Sequence, residues 1–168
     1  LSIKLGVPNA CNDCHEDKSA EWSQQYINKY YGENKKKHYA QVFADAVNIK
    51  DGADTSLIKI IENDLYPEII RAVAVNYLGG YSNERAYNKI KTALNDVEPV
   101  VRVEAIDAFT ANDEEDFVNS LLPLLNDPVK VVRIQAANRL SMLSKESFSE
   151  EQFKTLTSVL DEYLETLK

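Results

Sequence analysis

The chain has 168 residues, enough to bury one ordinary core, and its 44% hydrophobic and 27% charged residues fit a globular protein. A formal net charge of −8 argues against a nucleic-acid partner, because phosphate backbones are held by Lys and Arg. Five glycines and five prolines are too few for a turn-rich all-β fold, and no stretch approaches the roughly 20 apolar residues that span a bilayer.

Residues 1–17 carry little hydrophobic periodicity and hold Gly6, Pro8, Asn9, Asn12 and Asp13, all turn-favouring types. So polar a segment has little apolar surface of its own to bury. Leu1 to Leu5 lacks the apolar core of a signal peptide, so the chain reads as a mature product or an excised piece. Within this segment stands Cys11-Asn12-Asp13-Cys14-His15. Covalent haem attachment needs two thiols about three residues apart to add to the two vinyl groups, and an adjacent His as proximal iron ligand. The chain has only two Cys and two His, and shuffling would produce this arrangement on the order of once in ten thousand times. The competing readings are a disulfide or inert dithiol and a zinc site. A redox dithiol belongs to a βαβ setting that this sequence lacks. Zinc needs four ligands, which Cys11, Cys14 and His15 or His38 supply only if a carboxylate joins.

From Lys18 the pattern turns helical. Trp22, Tyr26 and Tyr30 recur at four-residue spacing and share one helix face, which Gly32 terminates. That face reads as a core seam between the segment and the downstream helices, with packing against a haem edge as the alternative. Glu33 to Lys37 forms a polar loop whose run Lys35-Lys36-Lys37 is short enough to be simple solvation. His38, the only other His, can return to the haem as sixth ligand or stand solvated beside the lysines. Met142, the only Met, has apolar spacing and reads as core.

The remainder repeats itself. Arg71, Arg102 and Arg133 are 31 residues apart, as are Ala74, Ala105 and Ala136, and Leu78, Phe109 and Leu140. Asp64, Asp96 and Asp127 precede these helices as expected N-caps, with Pro67, Pro99 and Pro128 in the first turn. Second helices are expected over Thr55–Asn63, Glu84–Asn95, Glu114–Asn126 and Glu150–Leu167, and Tyr39–Val47 opens the series as a degenerate unit. Such two-helix units cannot bury their faces alone and must stack. The small Ala105 then marks the close approach of neighbouring helices, while Lys91 reads as an exposed position. The three arginines either line an anion groove or, the favoured reading, pair with the turn aspartates in a ladder that fixes the stacking.

Asp96 to Ala105 and Asp127 to Ala136 resemble the short HEAT repeat of the lyase-like class, with its Asp-x-x-Pro-x-Val-Arg-x-x-Ala start. The resemblance covers residues 38–168, although Ala40 stands where the first unit would carry Arg. Pro8 through Trp22, with Tyr30-Tyr31-Gly32 beyond, resembles the last haem segment of bacterial multihaem c-type cytochromes that continue into HEAT or tetratricopeptide repeats. That resemblance implies haem c held by Cys11 and Cys14 with His15 on the iron, and an extracytoplasmic, periplasmic setting. It also implies further haem motifs upstream.

The expectation is therefore an all-α protein: a haem-attachment segment with its helix over residues 1–37 and an α-solenoid of HEAT-like hairpins over 38–168. Expected partners are a redox protein or an upstream haem domain of the same chain, and a protein bound on the solenoid. Neither a nucleic acid nor a membrane span is expected. No catalytic constellation is legible: no nucleophile with a base, no phosphate loop. Electron transfer with the repeats as interaction surface is the first functional reading. A non-catalytic scaffold whose Cys pair is structural is the second.

Overall fold

The computed structural model describes residues 1–33 and 38–166, and all regular secondary structure in them is helical. The lysine run at 35–37 and Leu167, at the expected end of the last helix, lie outside the described residues. Three helices come first: α1 (Ser2–Leu5), α2 (Ala10–Cys14) and α3 (Ala20–Tyr31). Asn9 caps α2 by accepting from the Asn12 N–H, and Ser19 caps α3 by accepting from that of Trp22. Gly32, at φ 77°, ends α3 as its spacing predicts, its N–H donating to the Asn28 carbonyl at 2.9 Å.

Four helical hairpins come next. They are α4 (Tyr39–Val47) with α5 (Ala53–Ile61), α6 (Glu68–Leu78) with α7 (Glu84–Ala93), α8 (Pro99–Ala108) with α9 (Glu114–Leu121), and α10 (Lys130–Leu140) with α11 (Glu150–Thr166). The expected helix over 114–126 breaks in two. Pro123 has no N–H to continue the α-helical ladder, so the chain tightens into a 3₁₀ helix over Leu122–Asn126.

The first helices of successive hairpins lie side by side, α4 on α6, α6 on α8 and α8 on α10. The 31-residue register lands on the core. Ala74, Ala105 and Ala136 are fully buried where these helices approach, and Leu78, Phe109 and Leu140 fill the space behind them. Full burial of side chains that large contributes about 1.5–3 kcal/mol each. In the opening unit Phe43 stands at the small position, within an aromatic group with Tyr39, Tyr66 and Tyr77. The whole buried apolar core runs from Ala46 to Val159.

Polar bonds then lock hairpin to hairpin. Asp64, Asp96 and Asp127 are not the N-caps that their position before the helices suggested; Pro67, Glu98 and Val129 hold those places, and Asp96 and Asp127 serve the links between units instead. One oxygen of each aspartate accepts from the backbone N–H two residues on, at 3.0 Å to Glu98 and 2.8 Å to Val129. Each carboxylate also takes the arginine of the preceding unit. Arg71 bonds Asp96, and Arg102 holds Asp127 through two bonds of 2.8 Å. Arg133 ends the ladder on Glu162 of α11. With their charges so paired, the arginines do not line an anion groove.

Lys91 is also not the free surface residue its position suggested. Its ammonium lies 2.5 Å from Asp116 and 3.0 Å from the Tyr87 hydroxyl, tying α7 to α9. The bond to Asp116 and then that to Tyr87 push the Lys91 ammonium up to about 12. Asp116 is held at about 2, first by Lys91, against the opposing effect of burial, and further by Tyr87 and the Asn112 N–H.

Candidate functional site

The Cys11-to-His15 motif forms α2 and its C-cap. Cys11 is the second residue of the helix, Cys14 closes it, and the His15 N–H donates back to the Cys11 carbonyl at 3.0 Å. Both thiols are free, Cys11 half-buried and Cys14 exposed. Helix α2 lies against α3, and the two enclose an open groove of about 330 Å³. Cys11, Cys14 and His15 line one side of it, and Trp22, Tyr26, Ile27, Tyr30 and Tyr31 line the other. The His15 ring sits 4.9 Å from the Trp22 ring, which sits 4.7 Å from that of Tyr26.

The aromatic face of α3 was expected to be a seam against the repeats. Instead, Tyr26 and Ile27 are exposed, Tyr30 is 70% exposed and Tyr31 82%, and none of them belongs to the repeat core. The reason is positional: α1 and α2 pack on α3, while α4, the next helix along the chain, packs against α5 and α6. The face therefore serves the groove.

A polar hub holds the motif in place. The Asn12 side-chain amide accepts from Asn9 at 2.7 Å and from Ser23 at 3.0 Å, and donates to the Lys18 carbonyl at 2.6 Å and to that of His15 at 3.3 Å. Ser23 is buried on α3. By its residue type alone Asn12 is only a turn former. The signal for its larger role lies in the Asn9-x-x-Asn12 spacing, which makes a capped turn and leaves one amide free to reach forward.

His38 is not brought to this groove. It caps α4, its Nδ1 accepting from the Ala40 N–H at 3.1 Å, and its ring lies tilted against that of Tyr39 at 4.1 Å. It lines a different cleft with Leu1, Lys4, Gln41, Asp45 and Lys50. Met142, expected in the core, is exposed, because it lies beyond the last buried position of α10, Leu140. Among the described residues no three His, Cys, Asp or Glu side chains converge as metal ligands, and no helix is long and apolar enough to cross a membrane.

The residues of the groove fit a covalently held haem. Two thiols one helical turn apart face a common cleft, an imidazole adjoins them, and an uncovered apolar, aromatic wall stands opposite. A group with a large flat apolar surface would remove that wall from water.

Comparison with known proteins speaks to the repeats. The family model for HEAT repeats matches residues 55–141, from α5 through the end of α10. No curated protein and no solved structure matches the chain. The match covers more than half of the sequence, including the stacked hairpins joined by the arginine ladder, and the chain belongs to the HEAT-repeat family.

Proposed function

We propose that the protein is a helical interaction scaffold whose N-terminal segment carries haem c for electron transfer outside the cytoplasm. The observation that carries the haem part is the shared groove: Cys11, Cys14 and His15 face the exposed aromatic wall of α3. In this reading Cys11 and Cys14 would each hold the group through a thioether, the thiol's sulfur and hydrogen adding across one vinyl group, which would need no oxidant and release no group. His15 would supply the imidazole for the iron, and Trp22, its ring 4.9 Å away, would limit how that imidazole can turn. Trp22, Tyr26 and Tyr30 would exclude water from one side of the bound group. The group so held would supply a one-electron couple. The HEAT stack would present the surface for a protein partner, and a redox protein or another haem domain of the same polypeptide would exchange electrons with the segment.

The second reading is a scaffold without haem, with the Cys pair in a structural role. It is favoured by the HEAT match, which covers the repeats and not the segment. One experiment separates the two. The protein is produced with an export signal and haem-attachment machinery, and its intact mass and pyridine haemochrome spectrum are recorded. A gain of one haem with loss of both reactive thiols is the expected result. Exported protein of unchanged mass, with both thiols still reactive, leaves the scaffold alone.

A further inference from the structure

Resting on that haem reading, we infer that Asn12 is a positioning residue that sets the attachment turn on α3 and so fixes Cys11, Cys14 and His15 against the aromatic wall. Asn12 sits between the two cysteines but does not itself line the groove, and its amide makes four side-chain bonds, the full capacity of a carboxamide counted once per hydrogen and lone pair. Those bonds run to three different places. Asn9 is the entry to the turn, the His15 and Lys18 carbonyls are its exit, and Ser23 is the buried anchor on α3. A five-residue helix has almost no stability of its own, so its orientation must come from such ties. Nothing apolar replaces them, because α2 buries no residue fully.

The consequence is specific to attachment. Both sulfurs must meet their vinyl groups while the imidazole keeps its approach to the iron, and all three belong to the turn that Asn12 holds. Loosening the turn should let one thioether form without the other and weaken the hold of His15 on the iron. It should leave the repeats untouched, since their core begins at Ala46.

The test compares exported wild-type protein with Asn12→Ala and Ser23→Ala, all made with haem-attachment machinery. Haem yield is read from intact mass. The number of thioethers is read from the α-band of the pyridine haemochrome, which moves with the number of vinyl groups left. Imidazole ligation is followed by the visible spectrum during acid titration. The expected result is a several-fold lower haem yield in Asn12→Ala, a share of single-thioether product, and loss of imidazole ligation at higher pH than in wild type. Ser23→Ala, which removes only the tie to α3, should show the same changes to a smaller extent and serves as the readout if Asn12→Ala does not accumulate. A merely structural role would lower yield while leaving the α-band and the acid transition of the attached fraction unchanged, and that outcome overturns the inference. Variants matching wild type on all three readouts overturn it as well while leaving the haem reading standing. Wild-type protein that takes no haem overturns both.

Discussion

The Arg102 guanidinium directs Nε and Nη2 to Asp127 and Nη1 to the carbonyls of Asp96 and Val97, with its side chain and that of Asp127 both buried. Burial raises the Asp127 carboxyl, but the Arg102 bonds, the Val129 N–H and the charges of Arg102 and Arg133 outweigh it and hold the group below its ordinary value. A carboxylate depressed on folding contributes stability above its unfolded value of about 3.9, and that contribution is lost as the pH falls through the lower folded value. Asp127→Ala should therefore cost about 3–5 kcal/mol at neutral pH, since it strands the buried Arg102 charge. The gap to wild type should narrow in acid, where wild type loses the same interaction. Urea unfolding at pH 7 and near pH 3 measures both; a loss at pH 7 below about 1 kcal/mol would place the pair with ordinary surface bridges. Arg102 and Asp127 were legible as partners in a ladder because their 31-residue register repeats. The cross-unit direction of the bonds was not, because sequence does not say which neighbour a turn aspartate faces.

At the scale of the element, helix α6 ends at Leu78, and Gly79 comes next with right-handed helical geometry that any residue can adopt. Its conformation does not call for glycine; its neighbour does. A Cβ built there would lie 3.0 Å from the Ala108 Cβ and 3.2 Å from its Cα, at the end of α8. Ala108 has no flexible arm to move aside, so the clash must be relieved by shifting α6 against α8, the pair on which Ala74 and Ala105 also meet. At Gly80 the nearest atom would be the Tyr77 carbonyl oxygen at 3.4 Å, an ordinary contact. Gly79→Ala should then destabilise by about 1–3 kcal/mol through overpacking. Gly80→Ala should be neutral or stabilise by up to about 1 kcal/mol through the unfolded chain. Denaturant midpoints of the two variants give the comparison, and a stabilising Gly79→Ala would mean the helices have room to spare. Helix existence was readable from Lys18 onward, since Tyr39–Val47 and the arginine helices are dictated by apolar spacing and turn residues; the short α1 and α2 were not, because residues 1–17 carry no apolar period. What escaped was contact between units: the Lys91–Asp116 tie and the approach at Gly79 both depend on how far one hairpin sits from the next.

The molecule as a whole has two parts held by different forces. The repeats share one continuous apolar core from Ala46 to Val159, closed between units by the arginine ladder. Residues 1–33 add nothing to that core; Ser23 is their one buried residue, and it serves the Asn12 hub. This division explains why the Cys11-to-His15 motif was legible and its surroundings were not. The Cys-x-x-Cys-His spacing is chemistry written locally, whereas the exposure of Tyr26 and Tyr30 depends on where α3 lies relative to the repeats. In a stack, stability is close to a sum of unit and neighbour terms, so a part that shares no core should leave the rest unmoved when removed. Deleting residues 1–33 should therefore change the thermal midpoint of the repeats by less than about 4 °C, the shift that about 1 kcal/mol produces in a domain of this size. Native-state hydrogen exchange of the full chain should agree. Amides of α6, α8 and α10 should open only with global unfolding, and those of α1 and α2 at far lower free energy. A midpoint that collapses on deletion, or equal protection in α2 and α8, would mean that the segment is a structural end-cap of the stack.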